Sequence, residues 1–441
     1  MTHRSRLALL LACMLAGVMP GTALAAPLPF PQIDAALGAV HQFSQVAISP
    51  DGRRIASVEN DGGAASHIAL AWVAHPTTTR RISACRSGGC DEGDLAWSPD
   101  GTRIAFVTTD AKGQGQLALA DVATLHAHVL THLRGPLSTP RWSPDGTRIA
   151  FLYSPGAPKT PSPLNPSTPD AGVVGATIYE QRLAVVPAAG GAVRLLGPAN
   201  LNVYEYDWSP DGTRFAASAA HGDGDANWWI ADLYTVDAHS GAIAKIHHPA
   251  LQIASPRWNG DGTRIAYIGG IMSDEAITGG DVEVVSADGG TATDVTPGLA
   301  ASVTTIAWNG SRDHVLATEL AGGRNAIASI DANAHTQRVI WSGEQQLYAT
   351  GFAGLAPGDV GVSVSRDGRI AATITQSITA PPEIAVGPLA HLRRVTHANA
   401  GLPHTTGAAR SITWTSDGHT VQGWLIYPRD FQAGRQYPLV T

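Results

Sequence analysis

The sequence predicts an all-β fold, a seven-bladed β-propeller. Three observations predict it. A short turn signature recurs at a spacing near 50 residues, each recurrence runs into an apolar strand, and helical periodicity is scarce after residue 42.

The signature begins at Ala47-Ile48-Ser49-Pro50-Asp51-Gly52. It returns as Ala96-Trp97-Ser98-Pro99-Asp100-Gly101, Arg141-Trp142-Ser143-Pro144-Asp145-Gly146 and Asp207-Trp208-Ser209-Pro210-Asp211-Gly212. The fifth copy, Arg257-Trp258-Asn259-Gly260-Asp261-Gly262, has lost its proline. The sixth, Ala307-Trp308-Asn309-Gly310-Ser311-Arg312-Asp313, is degenerate, and the seventh is Ser363-Val364-Ser365-Arg366-Asp367-Gly368. The first five glycines are 49, 45, 66 and 50 residues apart, and the 106 residues from Gly262 to Gly368 hold two further repeats. Ser or Asn starts the turn by bonding the backbone ahead of it. Proline presets φ, Asp tolerates the turn, and Gly supplies the positive φ at its exit.

After each turn comes Arg-Ile-Ala-Phe or a variant, as at Arg103 to Val107 and Arg148 to Leu152. A strand apolar on both faces belongs between two packed neighbours. Trp97, Trp142, Trp208, Trp258 and Trp308 stand in register before the turns and read as blade-packing residues rather than a ligand cage. Third strands are expected at Gln116 to Val122, Arg182 to Pro187, Trp229 to Asp237 and Asp281 to Ala287, and a short helix near Ile33 to Val40.

The remaining composition narrows the class. Of 441 residues, 44% are hydrophobic and 15% charged, which excludes a disordered chain; 48 glycines and 29 prolines suit many turns. The net charge of −7 and the lack of a basic run argue against a nucleic-acid partner. Residues 1–25 read as a secretory signal peptide: Arg4 and Arg6, an apolar stretch from Leu7 to Val18, then Ala23-Leu24-Ala25 with cleavage before Ala26. The expected location is the periplasm or outside the cell, with no membrane span once the signal is removed. Cys85 and Cys90 then remain, and in an exported chain they point to one disulfide tying a surface loop. Zinc would need about four ligands, and no partner pair is nearby. No metal or other cofactor is expected.

The repeated Trp-Ser-Pro-Asp-Gly-Thr-Arg-Ile-Ala resembles the propeller repeat of TolB-type proteins and of prolyl oligopeptidase-family serine peptidases. The C-terminal end leans to the peptidases. Ile378-Thr379-Ala380-Pro381-Pro382-Glu383-Ile384 and Arg394-Val395-Thr396-His397-Ala398-Asn399 resemble their last blade. Ile412-Thr413-Trp414-Thr415-Ser416-Asp417-Gly418, Val421-Gln422-Gly423-Trp424-Leu425-Ile426-Tyr427-Pro428 and Gly434-Arg435-Gln436-Tyr437-Pro438-Leu439-Val440 resemble the entry into the α/β-hydrolase domain of acylaminoacyl- and dipeptidyl-peptidase-like members. The resemblance implies an N-terminal segment over 26–42, a propeller over 43–405 and an incomplete hydrolase domain over 406–441. It implies a serine exopeptidase or oligopeptidase acting on short peptides, with the propeller restricting entry.

In that family a His-Gly-Gly-Pro-like segment and a Gly-x-Ser-x-Gly elbow follow the strand that matches Pro438-Leu439-Val440. Neither occurs here, nor does His-Glu-x-x-His. The chain therefore reads as a truncated peptidase without its Ser-Asp-His triad, with no catalytic residue to assign and no activity expected of it alone. The alternative is a non-catalytic, TolB-like binding propeller.

Strand alternation places the Ser-Pro-Asp-Gly turns on the face away from the hydrolase. Residues 154–177, 221–227, 269–280 and 202–205 fall on the hydrolase side. Among these, Glu205, flanked by Tyr204 and Tyr206, is the candidate for holding a peptide's amine, with Tyr204 beside it; the alternative is a solvated strand-end carboxylate. Asp223-Gly224-Asp225-Ala226-Asn227 fails the EF-hand pattern at Trp228 and Tyr234 and reads as a polar loop. His247-His248 reads as a surface loop, Asn309-Gly310-Ser311 as a blade turn rather than a glycosylation site, and the proline-rich 154–177 as a flexible loop.

Overall fold

Strands that are apolar on both faces are stable only between two packed layers, and stacking blades around a ring supplies both layers at once. Arg103–Thr109, Arg148–Tyr153, Arg214–His221 and Arg264–Gly270 are such strands, buried along their interiors. The computed structural model describes residues 38–63, 65–85, 89–159, 177–222, 224–272, 279–347, 361–402 and 407–440, with Phe30, Asp34 and Ala35 besides. It is a seven-bladed propeller. The blades span residues 42–82, 91–129, 137–196, 201–247, 252–294, 302–343 and 346–394, each an antiparallel sheet with its strands in chain order. First strands lie side by side at the joints of blades 2 and 3 and of blades 4 and 5. In blade 7 two short strands, Gln346–Leu347 and Ser363–Val364, both pair with Ala371–Ser377.

Each residue of the turn signature has a partner. Ser98 Oγ donates to Asp100 Oδ1 at 2.5 Å and accepts from Arg103 N–H at 2.9 Å, while Asp100 accepts from Thr102 N–H at 3.0 Å. The same bonds recur at Ser49, Ser143, Ser209 and Ser365. In the fifth blade Asn259 Oδ1 takes over, accepting from Thr263 and Arg264 N–H.

The turns also touch each other around the ring. A Cβ placed on Gly101 or Gly212 would lie 3.5 Å from Pro50 and 3.4 Å from Pro144, so the proline of one turn packs against the glycine of the next. Two of the three copies that lack proline use the N–H at that position to bond a neighbouring turn. Gly260 N–H donates to Ser311 O at 2.7 Å, and Arg366 N–H donates to Pro50 O at 3.0 Å. Proline has no N–H to give at either place.

Tryptophan and arginine join the blades. Trp97, Trp142, Trp208 and Trp308 each donate Nε1–H to a backbone carbonyl of the blade before, at 3.0–3.1 Å. Arg103, Arg148, Arg214 and Arg264 lie over the tryptophan of the blade after, 4.6–5.5 Å from its ring centre. Arg103 and Arg148 also donate to Gly146 O and Gly212 O in the following turn. One repeat therefore reaches both ways.

Among the described residues the ring closes without a strand shared between its two ends. Blade 1 and blade 7 bury Phe43, Val46, Ile48 and Ile55 against Ala372, Ile374, Ile384 and Val386. Behind the ring, Ala409–Ser416 pairs with His419–Ile426 as a two-stranded hairpin. Its turn is Asp417-Gly418, both at positive φ, the geometry a two-residue hairpin turn demands.

Some local expectations are corrected. The third strand of blade 4 begins at Asp232 rather than Trp229, because Gly224–Ile230 forms a 3-10 helix. Trp228 turns inward against the cluster between blades 5 and 6, and Ala231 N–H bonds Trp228 O at 3.2 Å, which a continuous strand would not allow. At the N-terminus Asp34, Ala35 and Gly38 are helical. The signal segment 1–25, residue Asp223 and residues 160–176 and 273–278 lie outside the described residues.

Candidate functional site

The inner strands share an irregularity. In blades 1, 2, 4, 5 and 6 the pairing of first and second strand slips near the middle, and the same slip occurs opposite Leu152 in blade 3. Asp94, Thr139 and Ser255 take positive φ at these bulges, and Pro140 and Pro256 are tolerated there because the ladder is already broken. In blade 4 the register passes from Val203 to Glu205, leaving Tyr204 as the extra residue.

The side chains at the bulges mostly serve the next blade. Gln45 Oε1 accepts from Leu95 N–H at 2.7 Å, and Asp94 Oδ2 accepts from Thr139 N–H at 3.1 Å. Glu205 Oε2 accepts from Ser255 N–H at 2.6 Å, and Asp207 Oδ2 from Trp258 N–H at 3.0 Å. Burial pushes the carboxyls of Asp94 and Asp207 up from their ordinary range, with Arg257 and Arg141 opposing this at Asp207. Glu205 is thus not a solvated strand-end group; it is 9% exposed and bonded across a blade boundary. Tyr204 is half-buried and packs on the cluster around Ile253 and Trp258. Tyr206 is buried, and its hydroxyl donates to Thr139 O at 2.5 Å.

The two faces of the ring differ. Because every blade is antiparallel, the signature turns share one face, and the blade links and second-to-third-strand loops share the other. The link face carries the exposed apolar side chains Ile178, Trp229, Ile230, Leu251, Ile271 and Ile378, Ile271 being 87% exposed. On the turn face Trp72 is exposed, but Arg54 lies over its ring at 5.2 Å. The C-terminal hairpin lies on the link face. A Cβ on Gly323, in the blade 6 loop, would come within 2.8 Å of Gln422 Nε2 and 3.2 Å of Trp424. The hairpin itself exposes Ile412, Trp414, Trp424 and Ile426.

Polar groups gather on the same face. His248 Nδ1 is 2.6 Å from Asp232 Oδ1, with Lys245 3.3 Å from the same carboxylate. In the link from blade 1 to blade 2, Cys85 and Cys90 are joined by a disulfide with Cα atoms 6.0 Å apart. Beside it Glu92 is buried, accepts from Ser83 Oγ at 2.8 Å and Ala84 N–H at 2.9 Å, and is pushed up by burial. Among the described residues no group of three His, Cys, Asp or Glu side chains is placed to hold a metal ion. No helix among them is long and apolar enough to cross a membrane.

The propeller geometry has counterparts. The Pyrococcus horikoshii acylaminoacyl peptidase superposes with a TM-score of 0.65 at 15% identity, over 91% of this chain and 60% of that one. A prolyl endopeptidase gives 0.59 at 13%, over 91% and 57%. What they share with this chain is the fold. The chain thus spans about three fifths of the length of these peptidases. The propeller domain of the Trilobed protease from Pyrococcus furiosus, described as having an open velcro topology, gives 0.57 at 13% identity, over 82% of this chain and 99% of that one. A family model described as the lipoprotein LpqB beta-propeller domain matches residues 30–213. No curated protein matches the sequence.

Sequence reading missed the apolar link face. Its one legible sign was Trp228-Trp229-Ile230, an apolar run next to a turn-rich loop, where a loop is ordinarily polar.

Proposed function

We propose that the chain is the propeller portion of an exported serine peptidase of the prolyl oligopeptidase type, and that its link face carries the catalytic domain and screens short peptides. The observation that supports this most is the one-sided apolar surface, on the same face as the hairpin that leaves the ring. Exposed apolar side chains gathered on one face suit a surface that another domain covers. The hairpin would be the first strands of the hydrolase sheet, and residues 1–25 the export signal. Activity would then need groups this sequence does not contain.

The test is expression of the gene's reading frame beyond codon 441 with this chain, assayed on aminoacyl-, dipeptidyl- and acyl-aminoacyl-nitroanilides. Turnover with labelling by a serine-directed phosphonate is expected of the longer product and not of the 441-residue chain. Absence of such a frame overturns the reading. A non-catalytic binding propeller is then favoured by the match of residues 30–213 to a lipoprotein propeller.

Within this reading Tyr204 and Glu205 are the proposed contact for a peptide's amine, in competition with the bond from Ser255. E205Q in the active longer product separates the two roles. An amine contact predicts lost preference for free-amine over N-acylated peptides. A blade tie predicts lower stability with kcat/KM unchanged for both.

A further inference from the structure

The joint between blade 7 and blade 1 lacks the tryptophan contact that the joints among blades 1 to 6 carry. Ile48 stands where blades 2 to 6 have tryptophan, so the stacked arginine and the indole bond are both missing there. Among the described residues no strand crosses the joint. Besides the apolar cluster, the Arg366–Pro50 bond and the bond from Ile48 N–H to Ser363 Oγ, the joint has a polar clasp. Asn399 Oδ1 accepts from His41 N–H at 2.8 Å, and Asn399 Nδ2 donates to His41 O at 2.8 Å. Glu383, buried in blade 7, holds Asn399 by accepting its N–H at 2.8 Å and takes the Thr396 hydroxyl at 2.5 Å. On the blade 1 side, His41 Nε2 lies 3.0 Å from Glu59 Oε2, and Ser57 Oγ donates to the other oxygen of Glu59.

We infer that this clasp is a proton-controlled latch: the His41–Glu59 bridge anchors to blade 1 the residue whose backbone clasps Asn399 of the blade 7 end, and loss of the His41 proton loosens the joint between blade 7 and blade 1. The inference does not depend on the peptidase reading.

His41 is the point where the clasp can be switched, because its backbone carries both bonds to Asn399 while its ring carries the bridge. The charges around it are acidic: Glu59 and Asp61 from blade 1 and Glu383 from blade 7. His67, on the third strand of blade 1, is the other titratable neighbour and is held down by burial and by Arg81. The bond to Glu59 raises His41 against the opposing effect of burial. A raised histidine adds stability that is complete below its unfolded value of about 6.5 and fades as pH climbs through the folded value. Loss of the His41 proton removes the positive charge from the Glu59 bridge and so weakens the hold on His41.

The test is hydrogen exchange by mass spectrometry on the full chain, at about pH 6 and about pH 8.5, corrected for intrinsic exchange rates. Protection of Gln42–Ile48 and Ala371–Ser377 should fall at least about tenfold relative to Leu201–Trp208 of blade 4 at the higher pH. In H41Q the difference between the two pH values should vanish. The wild-type chain alone gives a second readout: the midpoint of the protection loss should coincide with the NMR titration of the His41 ring. Equal response of the joint and blade 4, a midpoint unrelated to His41, or a full wild-type response in H41Q would overturn the latch.

Discussion

The guanidinium of Arg103 lies 4.6 Å from the ring centre of Trp142, and the two residues belong to different blades. Arg103 follows one signature turn and Trp142 precedes the next, so the contact converts a repeat in the sequence into a joint in the ring. The indole also donates to Ala96 O at 3.0 Å, and Arg103 to Gly146 O at 3.1 Å. Trp142→Ala should therefore destabilise the chain by about 3–5 kcal/mol, the usual range for deleting a buried aromatic. R103K keeps the charge but loses the planar stack and should cost about 0.5–2 kcal/mol. Urea unfolding of both variants checks the order; a larger loss for R103K would refute the joint as described.

Restoring the consensus proline in blade 5 should harm the protein. Proline at a turn position ordinarily stabilises by limiting the unfolded chain. Gly260, however, donates its N–H to Ser311 O, and a Cβ there would meet Gly310 O at 2.1 Å. G260P should lower the melting temperature, by an amount corresponding to about 2 kcal/mol or more. An unchanged or raised melting temperature would show that the two turns are not in contact.

The turn carboxylates should make the ring sensitive to acid. The Ser143 hydroxyl and the Thr147 N–H hold Asp145 at about 2, below its ordinary 3.8. Asp100 and Asp367 are lowered in the same way by Ser98 and Ser365. A depressed carboxyl stabilises the fold above its unfolded value and loses that contribution as pH falls through the folded value. Melting temperature should thus drop between about pH 4 and about pH 2. D145N should melt lower than wild type at neutral pH and approach it at the acid end. A constant gap between the two across that range would contradict the assignment.

The C-terminal hairpin should be the first part lost to protease. Among the described residues both of its outer edges lack a strand partner, and its side chains are largely exposed. Limited proteolysis of the 441-residue chain should trim residues 407–440 and leave a resistant ring ending near residue 400. Equal protection of hairpin and ring would mean that the contact at Gly323 holds it firmly.

Sequence alone determined the blade. Seven turn signatures, the tryptophan before each of five and the apolar strand after them are local features, and a local pattern repeated at a regular spacing leaves one architecture that buries it. The Cys85–Cys90 pair could be named from spacing for the same reason. Tertiary structure alone decided what happens between repeats. That Glu205 serves Ser255, that Gly260 cannot be proline and that His41 meets Asn399 depend on residues 50, 51 and 358 positions apart. Single side chains at such distances leave no period to read. The apolar link face was hidden for a related reason. Its members sit in different loops, and only the alternation of strand direction around a closed ring brings Trp229, Leu251 and Ile271 to one side.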